Sequence, residues 1–289
     1  MFILFIVSVA WGFSFGLIKG NLTGLDSNFV SLVRMALSLL VFLPFIKFKK
    51  INKAMFWKLL VTGMLQFGVM YIAYIASFRY LQAYEVAIFT IFTPLYVTLI
   101  NDALNKKFNL WYLITALAAV AGTWLIEQGQ ILSPGVLNGF VLVQISNLAF
   151  AFGQIYYRRL LAGSNELKDH EVFGVLYMGA VAITLAATLL FTPLHSITLN
   201  ARQTWTLVYL GIFASGICFF LWNLGARKVN AGALAIFNDF KIPLAVAISL
   251  LVFSEKTNLS NLLAGGLIVI ASLVLNEAIN RQFWVKKKV

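Results

Sequence analysis

Stretches of about twenty apolar residues recur along the chain from Phe2 to Ile279, separated by short polar joints. A helix rises 1.5 Å per residue, so about 20 residues cross a hydrocarbon core roughly 30 Å thick. Ten such segments fall at approximately 2–19, 28–46, 56–78, 84–102, 109–127, 136–157, 172–192, 204–224, 231–252 and 259–279. The expected fold class is all-α, a polytopic membrane protein with ten transmembrane helices. Hydrophobic residues make up 61% of the chain and charged residues 11%, against about 45–50% and roughly 25% in a soluble domain. No region is left over for a soluble domain. The opening "MFILFIVSVAWGFSFGLIKG" lacks a basic start and a small-residue cleavage pattern, and its apolar run is long for a signal peptide. It is read as the first spanning helix.

Basic residues predict the orientation. Sixteen of them, including Lys47, Lys49, Lys50, Arg158, Arg159, Arg227, Lys228 and Lys286, lie in the joints after even-numbered segments, beside them or in the carboxyl tail. Four lie on the other side, namely Lys19, Arg79, Arg202 and Lys256. Both termini are therefore expected in the cytoplasm. The net charge of +12 follows from this asymmetry and from contact with anionic lipid, so no nucleic-acid partner is expected.

Chemistry-bearing motifs are scarce. The single Cys218 lies in an apolar run, and His170 and His195 have no close His or Cys partner. There is no phosphate-cradling glycine loop, zinc-protease motif or serine elbow. Neither a metal nor a cofactor nor an enzymatic activity is expected.

The chain also repeats itself. "GMLQFGVMYIAYIASFRYLQAYEVAIFTIF" from Gly63 aligns without a gap on "GIFASGICFFLWNLGARKVNAGALAIFNDF" from Gly211, 148 residues later. Gly63/Gly211, Gly68/Gly216, Arg79/Arg227, Ala87/Ala235 and Phe92/Phe240 coincide. Each half, 1–130 and 131–289, holds five expected helices. An odd number requires the second half to insert upside down, and inverted repeats of this kind place a site near the midplane of many secondary transporters.

In "WGFSF" from Trp11, Arg34, the Tyr80–Leu81 pair leading to Pro94, the run from Ala231 to Pro243 and the acid Glu255, the chain resembles the EamA-type, ten-helix branch of the drug/metabolite transporter superfamily. The resemblance implies a central cavity lined mainly by helices 1, 3, 4, 6, 8 and 9. It also implies residence in a bacterial cytoplasmic membrane and, commonly, export of amino acids or other small metabolites.

The sharpest local feature is "LAIFNDFKIPLAVAISLL", which carries Asn238, Asp239 and Lys241 into an otherwise apolar span. The two charged residues lie about 12 and 15 Å along a helix that starts near Ala231. Each costs roughly 2.5–3.5 kcal/mol at the bilayer centre. Two apart, they point to nearly opposite sides and neutralise each other poorly. Pro243 removes the hydrogen bond to the carbonyl of Asp239 and favours a bend. Lys241 holding a carboxylate and Asp239 an amine would suit a zwitterion, and Asp239 is also the candidate carrier of a coupling proton. The alternative is a structural ion pair between Asp239 and Arg34.

Further substrate-binding candidates are Trp11 and Ser14 in the first segment, Gln66 and Tyr74 on one face of the third, Asn147 in the sixth and Trp222 in the eighth. Each could equally be packing glue between helices. Arg34, near the start of its segment, is expected to reach the outer interface, and Glu85 to serve the amino end of its helix. The expected function is secondary transport of a small metabolite, an amino acid or related zwitterion, by a monomer or homodimer in a lipid bilayer. A channel, a membrane scaffold or an intramembrane enzyme are the alternatives.

Overall fold

The computed structural model describes residues 2–104, 134–162, 167–229 and 259–286, with scattered positions between these stretches. Among the described residues eight helices carry the fold: α1 (Phe2–Leu22), α2 (Ser27–Phe42), α3 (Lys53–Ser77), α4 (Ala83–Leu104), α5 (Pro134–Ala162), α6 (Asp169–Phe191), α7 (Ala201–Lys228) and α8 (Leu259–Lys286). Among the described residues there is no strand. The first seven helices are long and apolar enough to cross a membrane. The expected segment 109–127 lies almost wholly outside the described residues. So does much of 231–252, including Asp239, Lys241 and Pro243, although Leu234, Asn238 and Ile242 are helical.

In so apolar a chain, capping residues rather than hydropathy set where helices begin. Asp26 accepts from the backbone N–H groups of Asn28 and Phe29 at 2.9 and 3.2 Å, which starts α2 by satisfying donors that have no partner within the helix. Glu85 accepts from the Gln82 N–H at 2.6 Å at the head of α4, the place expected of it. Asn200 and Gln203 cap α7 reciprocally.

Helices α2 and α6 pack against each other antiparallel. At one end Thr192 donates to Asp26 at 2.6 Å. At the other the Lys47 N–H donates to the Glu171 carbonyl at 3.0 Å and Lys50 pairs with the Glu171 carboxylate. The bundle therefore has an Asp26 end and an Asp169 end. Helix α3 packs on α6 so tightly that a Cβ at Gly63 would stand 1.9 Å from the Leu176 carbonyl oxygen. Helix α7 lies correspondingly against α2, with Gly211 beside Leu37.

Both α3 and α7 widen into π-helix in mid-course, at Met64–Val69 and Leu210–Ile217. These positions correspond across the 148-residue offset of the repeat. A π turn leaves carbonyls off the ordinary ladder, and such turns collect at functional sites. In α7 side chains from three other helices take up the carbonyls. Trp11 donates to Ala214 (3.0 Å), Ser38 to Gly211 (2.8 Å), and Tyr177 to both Ser215 and Gly216.

Candidate functional site

A small cavity of about 60 Å³ lies between α1, α2, α3, α4, α5 and α7. Trp11, Ser14 and Phe15 form one wall, Tyr71 and Tyr74 a second, and Thr90, Thr93, Ser146 and Asn147 a third. Its base is aromatic: the Trp11 ring lies 4.6 Å from that of Phe219, and Trp222 packs behind them, its ring 4.9 Å from that of Trp11.

The polar third wall follows from Pro94. Proline has no N–H to offer the Thr90 carbonyl, and α4 tightens into a 3₁₀ turn over Thr90–Phe92. The Thr93 N–H then goes to Thr90 rather than to Phe89. The released Phe89 carbonyl accepts instead from Asn147 at 2.9 Å and from Gln144 at 3.3 Å. One proline thus fixes how α4 and α5 meet and holds Asn147 at the chamber surface.

Arg34 supplies the charge. It is 1% exposed, and its side chain turns into the chamber instead of reaching the interface as expected from its place near the start of α2. Two contacts hold it inward. Nε donates to the Ser215 hydroxyl at 3.0 Å, and Nη2 donates to the Tyr71 hydroxyl at 2.9 Å. The guanidinium carbon stands 4.3 Å from the centre of the Tyr71 ring, within cation–π range. Ser215 also donates to the Tyr71 hydroxyl at 3.0 Å, closing a triangle. Ser215 lies in the π turn of α7. Nη1 has no hydrogen-bond partner. The ion pairs among the described residues are Lys50–Glu171, Asp26–Arg79 and Asp169–Arg227, and none involves Arg34.

Of the residues expected to bind substrate, Trp11, Ser14, Tyr74 and Asn147 line this chamber. Gln66, Trp222 and Asn238 do not. They gather with Gln154 and Asn223 in a second polar cluster, behind the aromatic base. Trp222 donates to the Gln154 carbonyl oxygen at 3.1 Å, and Gln66 donates to Asn223 at 3.1 Å. Asp239 and Lys241 lie outside the described residues, as does any pairing of Asp239 with Arg34. Sequence reasoning missed Tyr71 and Ser215, which carry no signal in an apolar helix. It had the signal for Arg34, a cation inside a span, but read it toward the interface.

The family model for the EamA-like transporter family matches residues 1–128 and 137–277. The chain is similar to a probable biotin transporter of Pseudomonas aeruginosa, 37% identical over 281 residues, which are 96% of this chain and 98% of the relative. It is 35% identical to a biotin transporter of Escherichia coli K12 over 275 residues, 94% of this chain and 91% of that one. A solved crystal structure superposes with a TM-score of 0.72 at 16% identity over 96% of both chains, a likeness of fold alone.

Proposed function

The chain belongs to the EamA-like transporter family, and from that premise we propose that it carries a small monocarboxylate, biotin or a close chemical relative, through the Arg34 chamber. It is an integral membrane protein of the cytoplasmic membrane, and its family and relatives are those of transporters of small metabolites.

The observation that carries the choice of cargo is Arg34, buried with Nη1 unpartnered and without a carboxylate partner among the described residues. An unpaired charge in a membrane interior is costly, and such residues mark substrate pathways. A guanidinium held by two hydroxyls and facing a cavity suits a carboxylate that arrives with the cargo. Biotin is a valerate acid with a fused urea ring, and the relatives named for it favour a monocarboxylate over the amino acid expected from Asp239 and Lys241.

Alternating access is the route proposed. The antiparallel α2 and α6, the matching π turns and the matched arginines support two inverted halves, 1–130 and 131–289. The described basic residues gather at the Asp169 end, which supports placing that end in the cytoplasm. Export and import are then two directions of one cycle, set by the gradient that drives it, with Asp239 as the proposed proton carrier.

The test is biotin binding and flux in proteoliposomes. Arg34→Gln should lower affinity at least tenfold and Arg34→Lys should restore part of it. Undiminished binding by Arg34→Gln would remove Arg34 from the site.

A further inference from the structure

Resting on that reading, we propose that Gln66, Gln154 and Asn238 form a second cargo subsite, one that takes a neutral urea or amide group. Four buried side-chain atoms among the described residues lack a hydrogen-bond partner: Arg34 Nη1, Gln66 Oε1, Gln154 Nε2 and Asn238 Oδ1. Buried polar groups are nearly always satisfied, so orphans call for an explanation. The first belongs to Arg34, which lines the chamber. The other three share the cluster behind Trp222, and they come from α3, α5 and the helical residues around Asn238.

Their chemistry is specific. Gln66 and Asn238 each leave an acceptor free and Gln154 leaves a donor. A urea presents two N–H donors and one carbonyl acceptor, which is the complement. A carboxylate, which only accepts, would meet two acceptors and one donor. The opposite atom of each amide is already engaged. Gln66 Nε2 donates to Asn223 at 3.1 Å, Gln154 Oε1 accepts from Trp222 at 3.1 Å, and Asn238 Nδ2 donates to the Leu234 carbonyl at 3.0 Å. Gln66 is also clamped against Gly153, where a Cβ would fall 2.1 Å from its own Cβ.

The subsite is placed to be reached from the chamber. Gln154 lies one turn beyond Phe150 and Gln66 one turn before Met70, both chamber-lining residues. Along α5, Asn147 and Gln154 are roughly 10 Å apart. The Trp222 indole stands between, packed on Trp11 and bonded to Gln154. Rotation of Trp222 exposes the three amides to a cargo whose acid is held by Arg34.

The experiment compares biotin with lipoate, a carboxylic acid that has no urea, as ligands of the detergent-solubilised full chain. Gln66→Met and Asn238→Leu should weaken biotin at least tenfold and leave lipoate within about twofold. Gln154→Glu, which keeps the acceptor for Trp222 but replaces the free donor, should do the same without a change of size. Undiminished biotin affinity in all three variants, or equal loss of both ligands, would overturn the subsite while leaving the Arg34 reading intact. A wild-type chain that binds neither ligand would instead remove the parent reading.

Discussion

Arg79 and Arg227, 148 positions apart, close corresponding ion pairs at opposite ends of the bundle. Arg79 binds Asp26, the cap of α2, at 3.1 Å. Arg227 binds Asp169, the first residue of α6. The side chains of the first pair are 48% and 21% exposed and those of the second 25% and 12%, so water screens the Asp169 latch less. Tyr157 adds a hydrogen bond to Asp169 at 2.8 Å.

Breaking one latch should open the chamber from one side only. With Cys218→Ala as background and Ser14→Cys as reporter, Arg79→Gln should raise labelling by an impermeant maleimide several-fold from one face of the vesicle. Arg227→Gln should raise it from the other, by the larger factor. Labelling from the same face in both variants would refute the assignment.

Tyr71→Phe removes the hydroxyl that accepts from Arg34 and Ser215 and keeps the ring beneath the guanidinium. A hydrogen bond to a charged group contributes about 1.5–3 kcal/mol. Carboxylate affinity, measured by calorimetry, should fall about tenfold or more, with little change in folding. An unchanged affinity would mean that Tyr71 does not position Arg34.

Acid should weaken the Asp26 end. Partial burial pushes the Asp26 carboxyl up, but the Thr192 hydroxyl, the Phe29 and Asn28 N–H groups and Arg79 together hold it below its ordinary 3.8. A lowered carboxyl stabilises the fold above its unfolded value and loses that contribution as pH falls through the folded one. The thermal midpoint in detergent should drop on going below about pH 3.8. Asp26→Asn should start lower at neutral pH and fall less steeply, and parallel curves would contradict this.

Gly63→Ala forces a methyl against the Leu176 carbonyl, 1.9 Å from the new carbon, whereas nothing lies within 4 Å of a Cβ at Gly24. Overpacking costs about 1–3 kcal/mol when side chains must move, and a backbone carbonyl yields less readily. The Gly63 variant should unfold at a clearly lower temperature and Gly24→Ala should match wild type. Equal midpoints would show that α3 and α6 can part without cost.

Hydropathy made α1 to α7 legible because a bilayer admits few structures besides apolar helices. Their ends were less legible, since α5 and α7 extend beyond the apolar core into their own arginines. Gln66 and Tyr74, expected on one face of α3, part company: Tyr74 lines the chamber, whereas Gln66 bonds to Asn223 of α7, a neighbour that sequence does not place beside it. Arg34 failed for a related reason. Distance from a helix start says how far a side chain could reach, but the inward rotamer is chosen by Tyr71 and Ser215, which sequence does not place nearby. The amino-acid cargo rested on Asp239 and Lys241, whereas the described cation in the chamber is Arg34.

The widened turn of α7 has a mechanical consequence. Trp11, Ser38 and Tyr177 each hold one or more of its carbonyls, and its Ser215 hydroxyl holds Arg34. Contracting that turn to ordinary α-geometry would withdraw those acceptors together and rotate everything beyond it. Four neighbours fastened to one coil segment must let go in concert, so partial rearrangement of α7 is disfavoured and the helix should switch in a single step.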